Sequence, residues 1–322
     1  MATARATSRA MGCDVSIVVR AHDRRTATAL ARAGAVRIQE LERRWTRFSA
    51  DSELMQLNRA GGAPVRVSAP TLTLVQALVR AWRTTDGAFD PTLLSPLVGL
   101  GYAASRDDAR RCTAVPVDIA PRGDVAAIDI DHDRSTVRLP RGTALDAGGL
   151  GKGVAADLVT AELMTAGARA ALAEIGGDLA ARGEPATGTW PIRIADPFAG
   201  DPVPTPSRSA PDSVVELGAG GVATSSVRRR TWTTDGEHRH HVLDPATGRP
   251  TTGDVVAATV VAGSATWAEA FATYAMVTGI DEALLRCDAL GLAARVTTAD
   301  GRHHRSTRWA DHERLLPTGV AS

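Results

Sequence analysis

Residues 145–153, LDAGGLGKG, hold the chain's only lysine, Lys152, within a run of glycines, and the rest of its 37 basic residues are arginine. A glycine-rich turn that opens a helix presents free backbone N–H groups at the positive end of the helix dipole, which suits an anionic ligand. The same glycines also serve a turn that only packs tightly, so the motif alone leaves both readings open. It is not a Walker phosphate loop, whose Gly and Ser/Thr positions are taken here by Asp146 and Gly153. Nor is it a dinucleotide fingerprint, since G-x-G-x-x-G counted from Gly149 and Gly151 ends on Val154.

HRHHVLDPATGRP gathers His238, His240, His241 and Asp244 into seven residues. The spacing does not match a zinc site, and Asp244-Pro245 with Thr247-Gly248 reads as an Asx-type turn. His241 is the better candidate for proton transfer, because only imidazole titrates near neutrality unaided. In TWAEAFATYAMVTG, Glu269 and Thr273 lie four apart and share a helix face. A carboxylate and a hydroxyl so placed can ligate Mg²⁺, a hard ion, although a Glu near the start of an amphipathic helix is also favoured by the dipole alone.

These residues need elements to hold them. The β-branched run at 11–20 predicts a strand, and near-3.6 spacing of Ala27, Leu30, Gly34, Ile38, Leu41 and Trp45 predicts a helix over 23–45. A short helix follows the Asp51/Ser52 cap, another opens at Pro70, and TDGAFDPTLLSP reads as a loop. Strand pieces at 126–131 and 136–139 lead to a helix carrying Ala155, Val159 and Leu163, which stops at Gly167. A buried strand then turns at Gly176 and Gly177. Five prolines within 196–212 exclude helix or central strand and mark a surface insertion. Beyond it, strands near 213–217, 220–224, 254–262 and 292–298 and helices over 266–278 and 281–290 complete the pattern.

With 322 residues, 44% hydrophobic, 23% charged and net charge +1, the profile is globular and gives no electrostatic case for a nucleic-acid partner. No stretch is apolar for long enough to span a bilayer or act as a signal peptide, and three cysteines without framework spacing fit a reducing compartment, so a cytoplasmic protein is expected.

Taken in order, MGCDVSIVV, RFSADSELMQLN, DGAFDPTLLSPL, LDAGGLGKGVAAD with the later IGGD, ATSS, HHVLDPATGRP and WAEAFATYAMVTG resemble the FAD:protein FMN transferase (ApbE-type) family from residue 11 to about 279. The resemblance implies an α+β fold, with mixed β-sheets flanked by helices, in one domain over 11–322 after a disordered 1–10. It further implies an enzyme that takes FAD as substrate, uses Mg²⁺ on the diphosphate, transfers FMN to a Thr or Ser hydroxyl of an acceptor protein and releases AMP. By position, Met11, Phe48, Ala88, Phe89, Asp90, Asp146 and Lys152 would hold the flavin nucleotide. Glu269, Thr273 and the carbonyl of Ala155 would hold the metal, with His241 as catalytic base. The chain departs from the family pattern at Glu269, Ser226 and Cys13, where Asp, Gly and Thr are usual. Glu is one methylene longer than Asp, and Mg²⁺ tolerates little distortion. An FAD pyrophosphatase yielding FMN and AMP, a non-catalytic FAD-binding protein and a purely structural α+β domain are the competing readings.

Overall fold

A computed structural model describes residues 1–105, 108–199, 213–234 and 236–315. Numbered along the chain, eight strands form the central sheet in the order β1 (Ala2–Ala10), β2 (Cys13–Ala21), β6 (Ala170–Ile175), β7 (Asp178–Gly183), β10 (Gly220–Ser226), β15 (Val255–Ala262), β16 (Ala293–Thr298) and β17 (His303–Arg305). Two three-stranded sheets join β18 (Glu313–Leu315), β9 (Ser213–Leu217) and β8 (Trp190–Ile194), and β3 (Val65–Arg66), β5 (Thr136–Arg138) and β4 (Asp129–Asp131). Two hairpins pair β11 (Thr231–Thr234) with β12 (Glu237–His240) and β13 (Leu243–Asp244) with β14 (Arg249–Pro250). The helices are α1 (Arg24–Trp45), α2 (Glu53–Asn58), α3 (Ala69–Thr84), α4 (Leu94–Gly99), α5 (Gly151–Thr165), α6 (Ala265–Thr278) and α7 (Ile280–Leu290).

The expected α+β class holds, but the expected mixed sheets do not, because every described strand pair is antiparallel. A single helix between strands returns the chain for parallel pairing, whereas the pair α6–α7 between β15 and β16 delivers it to the opposite end of the sheet. Residues 1–10 are not disordered either. β1 pairs with β2 from Ala2↔Ala21 to Ala10↔Cys13. Its Ala, Arg, Thr and Ser carry little apolar signal, so cross-strand pairing rather than propensity makes it a strand. Met11 and Gly12, both with positive φ (55° and 70°), form the two-residue hairpin turn, which trims two residues from the strand expected to start at Met11. The loop expected over 85–96 closes earlier, as α4 begins at Leu94. Most of the proline-rich insertion, residues 200–212, lies outside the described residues.

Alternation along the strands buries both faces of the sheet. Ile17, Ala171, Ala173 and Ala180 meet Ile38, Leu41, Leu74, Leu78 and Val159 of α1, α3 and α5. On the other face Leu172, Leu179, Val222 and Val261 pack with Ile194, Val215, Leu217 and Trp309. Local capping agrees with the sequence: Asp23 accepts from Thr26 N, Ser52 from Met55 N and Ser264 from Trp267 N. No helix among the described residues is long and apolar enough to cross a membrane.

The junction of α5 with α6 is a backbone-to-backbone contact. A Cβ on Gly153 would lie 2.6 Å from the Ala265 carbonyl oxygen, so only glycine lets the two backbones meet. Asp157, one turn further along α5, accepts hydrogen bonds from Ala265 N (3.0 Å), Thr266 N (2.8 Å) and Thr266 Oγ1 (2.6 Å) and so caps the start of α6. Asp157→Ala is expected to cost about 1–2 kcal/mol in urea unfolding, the usual worth of an N-cap. Gly153→Ala is expected to cost more, since the clash is with backbone. A Gly153→Ala protein as stable as wild type would contradict this packing.

Candidate active site

α5 opens on the turn Gly148-Gly149-Leu150, and Lys152 extends from its first turn. The Lys152 ammonium contacts the Asp178 carboxylate and lies 2.8 Å from Glu269 Oε1. Glu269 Oε2 in turn accepts a 2.7 Å hydrogen bond from Gly153 N. Asp178 Oδ1 accepts from Thr224 N at 3.0 Å, and its Oδ2 has no partner besides the lysine. Both carboxylates are 2% exposed, so two buried carboxylates share one half-buried lysine. Thr273, one turn along α6, meets Ser225 Oγ at 3.4 Å.

Beside this cluster lies Arg230. Burial opposes its charge, but Tyr102, Cys13 and Glu269 more than offset that, and its pKa is raised. His241, in the link between β12 and β13, has Nδ1 shielded from solvent without a partner. Desolvation, then the charges of Arg230 and Lys152, push its pKa down to about 3, so the ring is neutral at physiological pH. Asp244 forms the expected Asx turn, accepting from Ala246 N and Thr247 Oγ1.

An aromatic wall stands nearby. The Arg47 guanidinium sits 4.3 Å from the Phe48 ring centre and 4.6 Å from that of Tyr102, and it donates to Thr113 Oγ1 and the Tyr102 carbonyl. Tyr102 stacks on Trp232 at 5.2 Å between centroids. Arg47 Nε is 4.0 Å from Asp146, whose Oδ1 accepts from Gly148 N. Phe89 packs so closely on the glycine turn that a Cβ on Gly149 would come within 3.0 Å of its ring.

One cleft of about 1500 Å³ is bordered by Met11, Phe48, Ala88, Phe89, Asp90 and Asp146, and equally by Lys152, His241, Glu269 and Thr273. Segments distant in sequence are thus brought together. One residue sits differently from expectation. Asp90 has its carboxylate committed to Thr92 and to Arg122 at 2.7 Å, which leaves its backbone to face a ligand. Ala155 is fully buried inside α5, and its side chain does not border the cleft. Among the described residues no three His, Cys, Asp or Glu form a metal cluster. Even so, Glu269 and Thr273 both border the cleft and offer a carboxylate and a hydroxyl, oxygen donors of the kind that fit a hard cation completed by substrate oxygens. Sequence reasoning missed Arg47, Tyr102, Asp178 and Arg230. Only Asp178 had a local signal, a carboxylate directly after the Gly176-Gly177 turn.

Residues 11–296 match the model of the ApbE family. The FAD:protein FMN transferase of Salmonella typhimurium is 31% identical over 262 residues, covering 79% of this chain and 72% of that protein. Among solved structures, the ApbE protein of Thermotoga maritima superposes with a TM-score of 0.80 at 27% identity, covering 97% of this chain and 100% of that one. The flavin transferase ApbE of Vibrio cholerae gives 0.75 at 25% identity, covering 97% and 99%. With the family model spanning most of its length and the fold shared from end to end, this chain belongs to the ApbE family.

Proposed function

We propose that the chain transfers FMN from FAD to a Thr or Ser hydroxyl of an acceptor protein and releases AMP. The observation that carries this reading is the convergence of Lys152, the first turn of α5, Glu269 and Thr273 on one cleft wall, in a chain whose relatives are named FAD:protein FMN transferases. Lys152 and the α5 N-terminus bind the diphosphate, since a cation and free N–H groups at a helix start attract phosphate oxygens. Phe48, held against Arg47, offers a ring face to the flavin nucleotide, and Asp146 offers a carboxylate to its donors. Met11 holds its place through a left-handed turn that a non-glycine residue adopts only at a cost. When bound on Glu269 and Thr273, Mg²⁺ supplies Lewis-acid stabilisation of the charge that builds on the diphosphate oxygens.

His241 meets the acceptor hydroxyl. Neutral imidazole is the form that takes a proton, and Nδ1 is the atom left without a protein partner. Burial is the main cause of its low pKa, and Lys152, one of the cations that add to it, is neutralised by the diphosphate, so FAD binding removes part of the charge that opposes protonation. The cleft also admits an extended segment of the acceptor, and the three unpaired cysteines suit a reducing, cytoplasmic setting.

Incubating the protein with FAD, Mg²⁺ and a small acceptor domain bearing an accessible Thr is expected to raise the acceptor mass by one FMN, with AMP formed. FMN and AMP without labelling would instead indicate a hydrolase, and intact bound FAD a binding protein. His241→Gln is expected to bind FAD normally and lose transfer by about 100-fold or more. It also alters acid stability. His241 has a folded pKa of about 3 against an ordinary 6.5, so the unfolded chain binds the extra proton and wild-type stability falls as pH drops from about 6.5 towards 3. His241→Gln removes that part of the slope, and an unchanged slope in chemical denaturation would contradict a buried neutral ring.

A further inference from the structure

One lysine needs only one carboxylate to neutralise it. Lys152 already has Glu269 at 2.8 Å, yet a second carboxylate, Asp178, is buried against the same ammonium at 2% exposure. Burying a second carboxylate is costly unless it is paired, and Glu269 is shared among Lys152, Arg230 and the Gly153 amide whereas the Asp178 Oδ2 faces Lys152. Asp178 is also held firmly. It follows Gly176 and Gly177, whose φ values of 62° and 99° make the β6–β7 turn, and its Oδ1 is fixed by Thr224 N. Its Oδ2 is left for the lysine alone.

The two carboxylates differ in what else they face. Glu269 borders the cleft beside Thr273 and also ties Gly153 N, whereas Asp178 is absent from the cleft wall and reaches it only through Lys152. A cation drawn to Glu269 repels the lysine that shares its oxygen. With Asp178 behind it, Lys152 keeps a partner and stays extended along the wall. Without it, a long and mobile side chain loses its fixed position, and ordering it again on the substrate costs rotamer entropy.

We propose that Asp178 is a positioning residue of the transfer site, holding the Lys152 ammonium where the FAD diphosphate binds. The inference rests on the proposed function and deepens it. Asp178 touches no substrate and acts through Lys152.

The test is a double-mutant cycle on the full chain with Asp178→Asn, Lys152→Met and the double variant. FAD affinity is read by flavin fluorescence with Mg²⁺ present and acceptor omitted, and transfer is read separately. Asparagine keeps an acceptor for Thr224 N and removes the charge that holds Lys152, and the thermal midpoint is followed in each variant so that a loss of FAD affinity is compared among folded proteins. Should that variant fail to fold, Asp178→Ser completes the same cycle. Each single variant is expected to weaken FAD binding about tenfold, in the range of a charge-assisted contact. Asp178→Asn is expected to cost nothing more once Lys152 is gone. Full additivity, or wild-type affinity in Asp178→Asn, would overturn the positioning role. Wild-type protein that binds no FAD in the same titration would overturn the proposed function and this inference with it.

Discussion

Glu269 closes two contacts onto the first turn of α5, one to the Gly153 amide and one to the Lys152 ammonium, and the rest of the cleft is arranged around that junction. Without a Cβ at Gly153 the helices come into backbone contact, and Asp157 locks their angle by capping α6. The same contact brings Thr273 and Lys152 to one wall, because Thr273 lies one helical turn from Glu269. Asp178 of β7, fixed by Thr224 of β10, then ties this helix pair to the sheet through Lys152. Helix docking and ligand chemistry are therefore carried by the same few atoms, and a substitution there alters both.

Periodic segments were legible from sequence because local pattern and tertiary burial agree in them. α1 runs over the expected residues with Ala27, Ile38, Leu41 and Trp45 buried, and Asp23 caps it. Apolar and β-branched runs likewise marked β2, β10, β15 and β16, the last two of which are buried almost throughout. β1 was not legible, since a strand of Ala, Arg, Thr and Ser owes its form to the partner across from it. The hairpin of β11 and β12 was missed for a related reason. It is held by Trp232 and Arg239 donating to the Leu100 carbonyl, more than a hundred residues away. Antiparallel pairing was hidden because the alternation of strands and helices does not say how many helices lie between neighbours.

The site shows the same division. Lys152, Glu269, Thr273 and His241 were visible as residue types that do chemistry, and all four border the cleft. Arg47 and Arg230 were lost among many arginines. Their distinction is positional: one is stacked between Phe48 and Tyr102, and the other is set beside Glu269 with the neighbours that keep it charged.

The electrostatics of the cleft point to an anionic substrate that displaces part of this network. Lys152, Arg230 and the α5 dipole are positive, His241 is held neutral by burial first and by these charges second, and the buried carboxylates offset the repulsion between the cations. The most direct measurement is a crystal structure of the FAD complex. The diphosphate is expected within hydrogen-bond distance of Lys152 Nζ and the first turn of α5, with His241 Nδ1 facing the phosphate that the acceptor attacks. A diphosphate bound away from α5, with Lys152 still enclosed between Asp178 and Glu269, would contradict the account.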